Sequence, residues 1–285
     1  MTNEPNIAAA IATAAAKLQA AGIEDPRREA SSLLAFVLAK DAVFLFAHPE
    51  FTLSNDEIAN FAAVVERRAN REPFHYIVGE KEFYGLEFLV APGVLIPRPE
   101  TELLVEDAIN FLSELPQPQF LEIGGGSGCI SVSILHNVPR STAIGVDISQ
   151  AAIDIAAENA KRHNVAERLA LKLGDVYRDV EGEFDLIVSN PPYIPDSDLA
   201  TLQTEVAGFE PHSALFGGDD GLDIVRRIVA DAPQFLKEGG QILIEIGFGQ
   251  AAGVKELFDS AIWEDIGFIR DLQGIERHAK AKIRG

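Results

Sequence analysis

The most specific chemistry in this chain lies in four consecutive residues, Asn190-Pro191-Pro192-Tyr193. They follow Phe184-Asp185-Leu186-Ile187-Val188-Ser189, a short apolar run rich in β-branched residues that predicts a buried strand. Two prolines cannot continue a hydrogen-bonded ladder, so the strand ends here. In open α/β sheets, ligands bind beyond the carboxyl ends of the strands. A planar amide or exocyclic base amine has two N–H donors and a lone pair delocalised into its π system. The Asn190 side-chain oxygen and the Pro191 carbonyl are two acceptors suited to those donors. Held in fixed geometry, they would orient the nitrogen and favour electron density on it in the transition state. Tyr193 could stack on the flat group, and Pro191 and Pro192 stiffen the backbone so that little ordering remains on binding. An isolated motif of this kind also reads as a plain turn with Asn190 as the turn former. Its neighbours in the sequence favour the chemical reading.

The second signal is Leu121-Glu122-Ile123-Gly124-Gly125-Gly126-Ser127-Gly128-Cys129-Ile130. A strand over Phe120–Ile123 runs into Gly124-x-Gly126-x-Gly128 and then a helix over about Cys129–His136. Glycines let backbone approach a ligand closely, and a helix start presents free N–H groups. A second strand, Thr142–Val146, ends in Asp147, 19 residues after Gly128, where an acidic side chain can accept both hydroxyls of a ribose. Ser149 reads as the cap of a helix over Gln150–His163, and a third strand from Leu169 ends in Asp175. Strand ends carrying the glycine loop, Asp147, Asp175 and Asn190 form a nucleoside site with a reaction site beside it. The spacing Gly-x-Gly-x-Gly differs from the dinucleotide pattern Gly-x-Gly-x-x-Gly. Acidic Glu122 ahead of the loop suits a cationic ligand better than a pyrophosphate. S-adenosylmethionine, with a sulfonium, an amino group and no phosphate, fits that charge logic better than NAD.

On these residues the chain resembles the class I S-adenosylmethionine-dependent methyltransferases. More narrowly, it resembles the bacterial peptide-chain release factor glutamine methyltransferases. The narrower likeness rests on Glu72–Gly79 and Glu82–Leu86, on Val94-Leu95-Ile96-Pro97-Arg98-Pro99-Glu100-Thr101-Glu102, and on Phe209-Glu210-Pro211 with Ala214, Leu215, Gly217, Gly221 and Leu222. It spans nearly the whole chain and is strongest over about 72–223. The resemblance implies that Glu122 and Gly124, Gly125, Gly126, Ser127 and Gly128 flank the methionine part of S-adenosylmethionine. It also implies that Asp147 holds the ribose, and that Asp175 and the Val176 backbone contact the adenine. Asn190, Pro191, Pro192 and Tyr193 would hold the amide of a glutamine in the Gly-Gly-Gln loop of class I release factors. Glu122 stands where many members have Asp, Gly125 where many have Thr, and Val176 where some have an aromatic residue.

The elements that must position these residues are legible in outline. Residues 1–71 read as a bundle of short helices, with a helix start at Asp25-Pro26 and a capping box at Ser54-Asn55-Asp56-Glu57. The bundle carries no motif for chemistry, and the resemblance makes it a docking module for the release factor. Residues 72–92 read as a β-hairpin linker. Residues 93–285 alternate strands and helices, which predicts an α/β, doubly wound, mostly parallel Rossmann-like sheet. Late elements are a helix over Leu222–Leu236, a Gly239-Gly240 turn, a strand over Gln241–Ile246 and an antiparallel pair near Phe268–Leu272 and Lys280–Ile283. Arg98 and Glu100 could line the site or order its loop, and Glu210 could anchor that loop.

Composition narrows the function classes. Hydrophobic residues make up 47% and charged residues 24%, as in ordinary globular proteins. No apolar run reaches the length that spans a bilayer. The Ala-rich start over Ile7–Ala21, with Glu4 ahead of it and no basic leader, reads as an amphipathic helix ended by Gly22 rather than a signal peptide. Cys129 is the only cysteine, so no disulfide framework or thiolate metal cluster is available, and the expected location is the cytoplasm. The histidines are scattered without ligand spacing, and Asp219, Asp220 and Asp223 read as a solvated helix start. Residues 1–75 hold 7 Lys+Arg and 10 Asp+Glu, a net −3, while 76–285 hold 17 and 34, a net −17. A surface of that sign is unsuited to duplex DNA, whose binding relies on neutralising phosphates.

Overall fold

The computed structural model describes residues 5–285, so Glu4 lies outside the described residues. The chain divides into two compact units. The first comprises the described residues up to Gly79 together with Gln203–Phe209, and the second comprises Glu80–Leu202 and Glu210–Gly285.

In the first unit, α1 (Ile7–Ala20), α2 (Pro26–Leu38), α3 (Ala42–Ala47), α4 (Asn55–Ala69) and α5 (Phe74–Val78) follow one another. Asn6 and Asp41 cap α1 and α3, and Ser54 and Glu57 form the reciprocal capping box of α4. Ile7, Ile11, Leu18, Leu33, Leu34, Phe61 and Val65 recur at helical spacing and form its apolar core. The sequence places the end of this region at residue 71 and reads 72–92 as a hairpin. In the structure Phe74–Val78 is helical, so the hairpin is shorter: β1 (Glu80–Phe83) pairs antiparallel with β2 (Leu86–Leu89). Tyr76 and Ile77 are buried, and that burial outweighs the strand preference of Phe-His-Tyr-Ile-Val.

The second unit continues with α6 (Glu102–Ser113), β3 (Gln119–Ile123), α7 (Cys129–Asn137), β4 (Thr142–Asp147), α8 (Gln150–Arg162), β5 (Leu169–Leu173) and β6 (Phe184–Ser189). The chain then passes through α9 (Thr204–Phe209), which belongs to the first unit. It returns as α10 (Asp223–Asp231), β7 (Leu236–Glu245), α11 (Ala251–Leu257), β8 (Trp263–Arg270) and β9 (Glu276–Ile283). Seven strands form one sheet in the order β5-β4-β3-β6-β7-β9-β8, parallel from β5 to β7 and antiparallel at β9 and β8. This is the doubly wound, mostly parallel architecture that the alternation predicts. Strand order reverses between β3 and β6, which opens a crevice at their carboxyl ends. Two apolar layers, one built around Leu121, Ile187, Ile242 and Val225 and the other around Phe120, Leu186, Val132 and Leu104, bury the sheet.

Two late elements differ from the sequence reading. The helix after Leu222 stops at Asp231, because Pro233 follows. Gly239 and Gly240 lie inside β7 rather than in a turn before it. The β6–β7 register shifts between Phe184 and Leu186, and a Cβ on Gly240 would lie 3.1 Å from the Phe184 carbonyl oxygen. The pair of glycines thus permits a bulge with close backbone approach. No helix among the described residues is long and apolar enough to cross a membrane.

Candidate active site

The glycine loop after β3 is folded back onto β4. Gly124 and Gly125 both donate to the Val146 carbonyl, at 2.8 and 3.1 Å, and Gly126 N–H donates to Asp147 Oδ2 at 2.8 Å. Ser149 N–H donates to Asp147 Oδ1 at 2.8 Å, so two backbone donors fix the plane of this carboxylate. Gly128 caps α7 with a φ of +77°, and a Cβ there would meet Ala156 Cβ at 3.0 Å, so a side chain is excluded on two counts. Ser127 is buried, and its carbonyl accepts from Asn159 Nδ2 at 2.9 Å. Asn159 also exchanges both of its amide functions with Leu89, which ties the loop to the hairpin.

Glu122 is buried beneath the loop. Its Oε2 accepts from the Ser131 backbone N–H at 3.1 Å and from the Ser131 hydroxyl, while Oε1 has no partner. Burial pushes its carboxyl up to about 8; the Ser131 hydrogen bonds pull the other way, and the nearby Asp147 charge adds to the rise. Burial likewise pushes the Cys129 thiol up to about 12, with Glu122 adding to it, so this sulfur is no thiolate nucleophile.

Asn190 leaves β6 beside this loop. A Cβ built on Gly124 would lie 3.8 Å from the Asn190 carbonyl oxygen, so the two sequence motifs meet. Asn190 Nδ2 donates to Thr101 Oγ1 at 3.0 Å, and the Thr101 hydroxyl donates to Glu245 Oε2 at 2.7 Å. With Nδ2 committed, Oδ1 is left as an acceptor on the pocket wall. The pocket is lined by Glu122, the loop from Gly124 to Ser127, Asp147, Asp175, Val176, Asn190 and Pro192, and by Arg98, Thr101 and Ser213. Pro191 is buried, and neither it nor Tyr193 lines the pocket; the Tyr193 hydroxyl lies 3.5 Å from Glu245 Oε1. Burial, then the Glu245 charge, raises the Tyr193 phenol well above its ordinary value. Asp175 is exposed and paired with Arg227 at 2.8 Å, and Val176 sits at a φ of +56°. A β-branched residue in that region is strained, and such strain clusters at ligand sites.

The backbone after Asn190 is clamped. Ile194 pairs with Phe216 as a parallel bridge, and Ile194 N–H donates to Leu215 at 2.9 Å. Gln250 Nε2 donates to the Tyr193 carbonyl at 2.9 Å and to the Asp220 carbonyl at 3.2 Å. Gly221, with a φ of +76°, leaves no room for a side chain, since a Cβ would lie 2.1 Å from the Tyr193 carbonyl oxygen. Glu210, buried, accepts from Arg98 Nη2 at 2.6 Å and from Ile96 N–H at 3.2 Å, which anchors the Val94–Arg98 stretch on the pocket. Asp220 and Asp223 pair with Arg226. Sequence reasoning assigned no chemistry to Thr101, Glu245, Gln250 or His278. Only Glu245 carried a readable signal, as an acid inside the apolar run Gln241–Ile246.

The donor set fits S-adenosylmethionine. An oriented carboxylate at Asp147 suits a diol, a buried acid with one unpartnered oxygen at Glu122 suits an ammonium, and a side-chain acceptor at Asn190 suits an amide N–H.

Family models and known relatives match most of the chain. Residues 9–79 match the family model described as the PrmC N-terminal domain, and residues 100–206 match the methyltransferase small domain. The chain is 43% identical over 263 residues to a release factor glutamine methyltransferase of Geobacter sulfurreducens, covering 92% of this chain and 91% of that one. It is 42% identical over 274 residues to a protein of the same description from Cereibacter sphaeroides, covering 96% and 97%. Among solved structures, a methyltransferase from Pyrococcus furiosus superposes with a TM-score of 0.53 at 20% identity, covering 72% of this chain and 92% of that one, a likeness of fold.

Proposed function

The chain belongs to the release factor glutamine methyltransferases, and from that premise we propose that it methylates, from S-adenosylmethionine, the side-chain amide nitrogen (N5) of the glutamine in the Gly-Gly-Gln loop of class I peptide-chain release factors. Its place of work is then the cytoplasm, where translation terminates, and duplex DNA is no partner. One observation carries the reading at the chemical level: Asn190 is held by Thr101 with its amide nitrogen turned away, so Oδ1 is available to a substrate N–H.

S-adenosylmethionine supplies an electrophilic methyl carbon on a sulfonium, so no metal is needed to activate the leaving group. Asn190 Oδ1 and the Pro191 carbonyl accept the two N–H groups of the glutamine amide and orient its nitrogen toward that carbon. As positive charge develops on nitrogen, these two acceptors stabilise it. One proton then leaves the nitrogen, to water or by way of Asn190. Pro192 holds the backbone of this stretch, and Tyr193, anchored on Glu245, closes the side away from the pocket. Gly124 to Gly128 and Glu122 take the methionine part, Asp147 the ribose, and Asp175 with the Val176 backbone the adenine. The first unit docks the release factor.

The test is methyl transfer from labelled S-adenosylmethionine, with purified release factor and unmethylated DNA offered in parallel. Mass spectrometry locates the mark, and a Gln→Ala change in the Gly-Gly-Gln loop is the control. Label on that glutamine, absent from the control, is the expected result. Label on DNA alone, or on neither, overturns the substrate assignment.

A further inference from the structure

We propose that Thr101 and Glu245 are positioning residues that dictate which face of the Asn190 amide meets the substrate. The inference rests on the role given to Asn190 above. Both residues are buried, each 2% exposed, and neither belongs to the Asn-Pro-Pro-Tyr motif. Thr101 closes a short 3-10 turn, Pro99–Thr101, and Glu245 ends β7.

The Thr101 hydroxyl donates to Glu245 Oε2 at 2.7 Å, and a hydroxyl has one proton to give. What Thr101 has left for its other neighbour is a lone pair, and Asn190 Nδ2 fills it at 3.0 Å. With the amide reversed, Asn190 Oδ1 would face Thr101 Oγ1 with no hydrogen between them. Polarity thus passes from Glu245 through Thr101 to Asn190, and it selects the orientation in which Oδ1 remains free for a substrate N–H. Glu245 serves a second member of the motif, because the Tyr193 hydroxyl donates to its other oxygen at 3.5 Å. Fully buried His278 on β9 places Nε2 3.7 Å from Glu245 Oε2, beyond hydrogen-bonding distance, so the acceptor capacity of Glu245 remains with Thr101 and Tyr193.

The experiment is a double-mutant cycle on release-factor methylation, with S-adenosylmethionine binding measured separately by calorimetry. Thr101→Val keeps the shape and removes the hydroxyl; kcat is expected to fall roughly 10-fold to 100-fold, the scale of a misoriented reacting group. Cofactor Kd should stay within about twofold, and Thr101→Ser should restore most of the rate. In an Asn190→Ala background the Thr101→Val change should cost little more, because it acts through Asn190. Glu245→Gln provides an independent arm. Its amide can donate to Thr101, freeing the hydroxyl proton to turn Asn190 around, so kcat should fall with cofactor binding kept. Full turnover of Thr101→Val or of Glu245→Gln overturns the inference, as does an equal Thr101→Val loss in both backgrounds. If Asn190→Ala alone keeps full turnover, the Asn190 role fails and this inference with it. If Asn190→Ala is crippled while Thr101→Val is unaffected, only the present inference fails.

Discussion

At the scale of single residues, the site separates groups that face the pocket from groups that hold them. Asn190 is the clearest of the first kind. Asn190→Ala removes an acceptor for charge developing in the transition state and should cost about 2–4 kcal/mol, read as a fall in kcat with cofactor Kd unchanged. Full turnover in that variant would remove Asn190 from the chemistry. Glu122 gives a pH signature. Its carboxyl is pushed up from an ordinary 4.5 to about 8, chiefly by burial. The native state therefore holds a proton that the unfolded chain releases above about 4.5. The stability it contributes is full below that pH and is lost as pH rises through 8. Glu122→Gln, neutral throughout, should melt above the parent by a growing margin between pH 5 and 8.5, reaching a few kcal/mol at the upper end. Thermal melts of the cofactor-free protein across that range check it; a difference that shrinks as pH rises would contradict the burial argument.

At the scale of elements, the loop from Leu215 to Leu222 and the start of α11 decide where the tetrapeptide backbone lies. Gly221→Ala would push a methyl group against the Tyr193 carbonyl, 2.1 Å away, at a φ of +76°. Displacement of about 1 Å at a reacting group costs roughly 100-fold in rate, so kcat should collapse much further than cofactor binding. Kinetics and calorimetry on one preparation separate the two. The central parallel strand β6 was legible because it is buried on nearly every position and reads as a mostly apolar run: Phe184–Ser189 has the bounds that the sequence predicts. Asp147 at the end of β4 and Ser149 capping α8 were legible for a related reason, since strand-end acids and helix caps are local signals. What the sequence concealed depends on partners far along the chain. Phe74–Val78 is helical by burial, and Gly239-Gly240 bulges because β6 lies alongside. Thr101 meets Glu245 across 144 positions, a separation no local pattern reports.

At the scale of the whole molecule, charge is the first constraint. A net −20, most of it on residues 76–285, gives duplex DNA no electrostatic reason to associate. Added duplex DNA should leave release-factor methylation within about twofold even at low salt, where phosphate attraction is strongest. Marked inhibition that disappears with added salt would reveal a basic patch that the overall balance hides. The second constraint is connectivity. Gln203–Phe209 belongs with the helices of the first unit although it follows Asn190 in the chain. Its Glu205 accepts from buried Arg68 at 3.0 Å and from Arg71 at 2.7 Å. For an engineer or a recombining genome, the N-terminal helices are therefore not a detachable cassette. A single crossover near residue 79 would join one parent's arginines to the other parent's Glu205 segment, and a mismatch there deprives the largely buried Glu205 of both arginines, while Arg68 keeps Glu29. Inheritance of the N-terminal helices and of the segment that follows Asn190–Tyr193 is thereby linked.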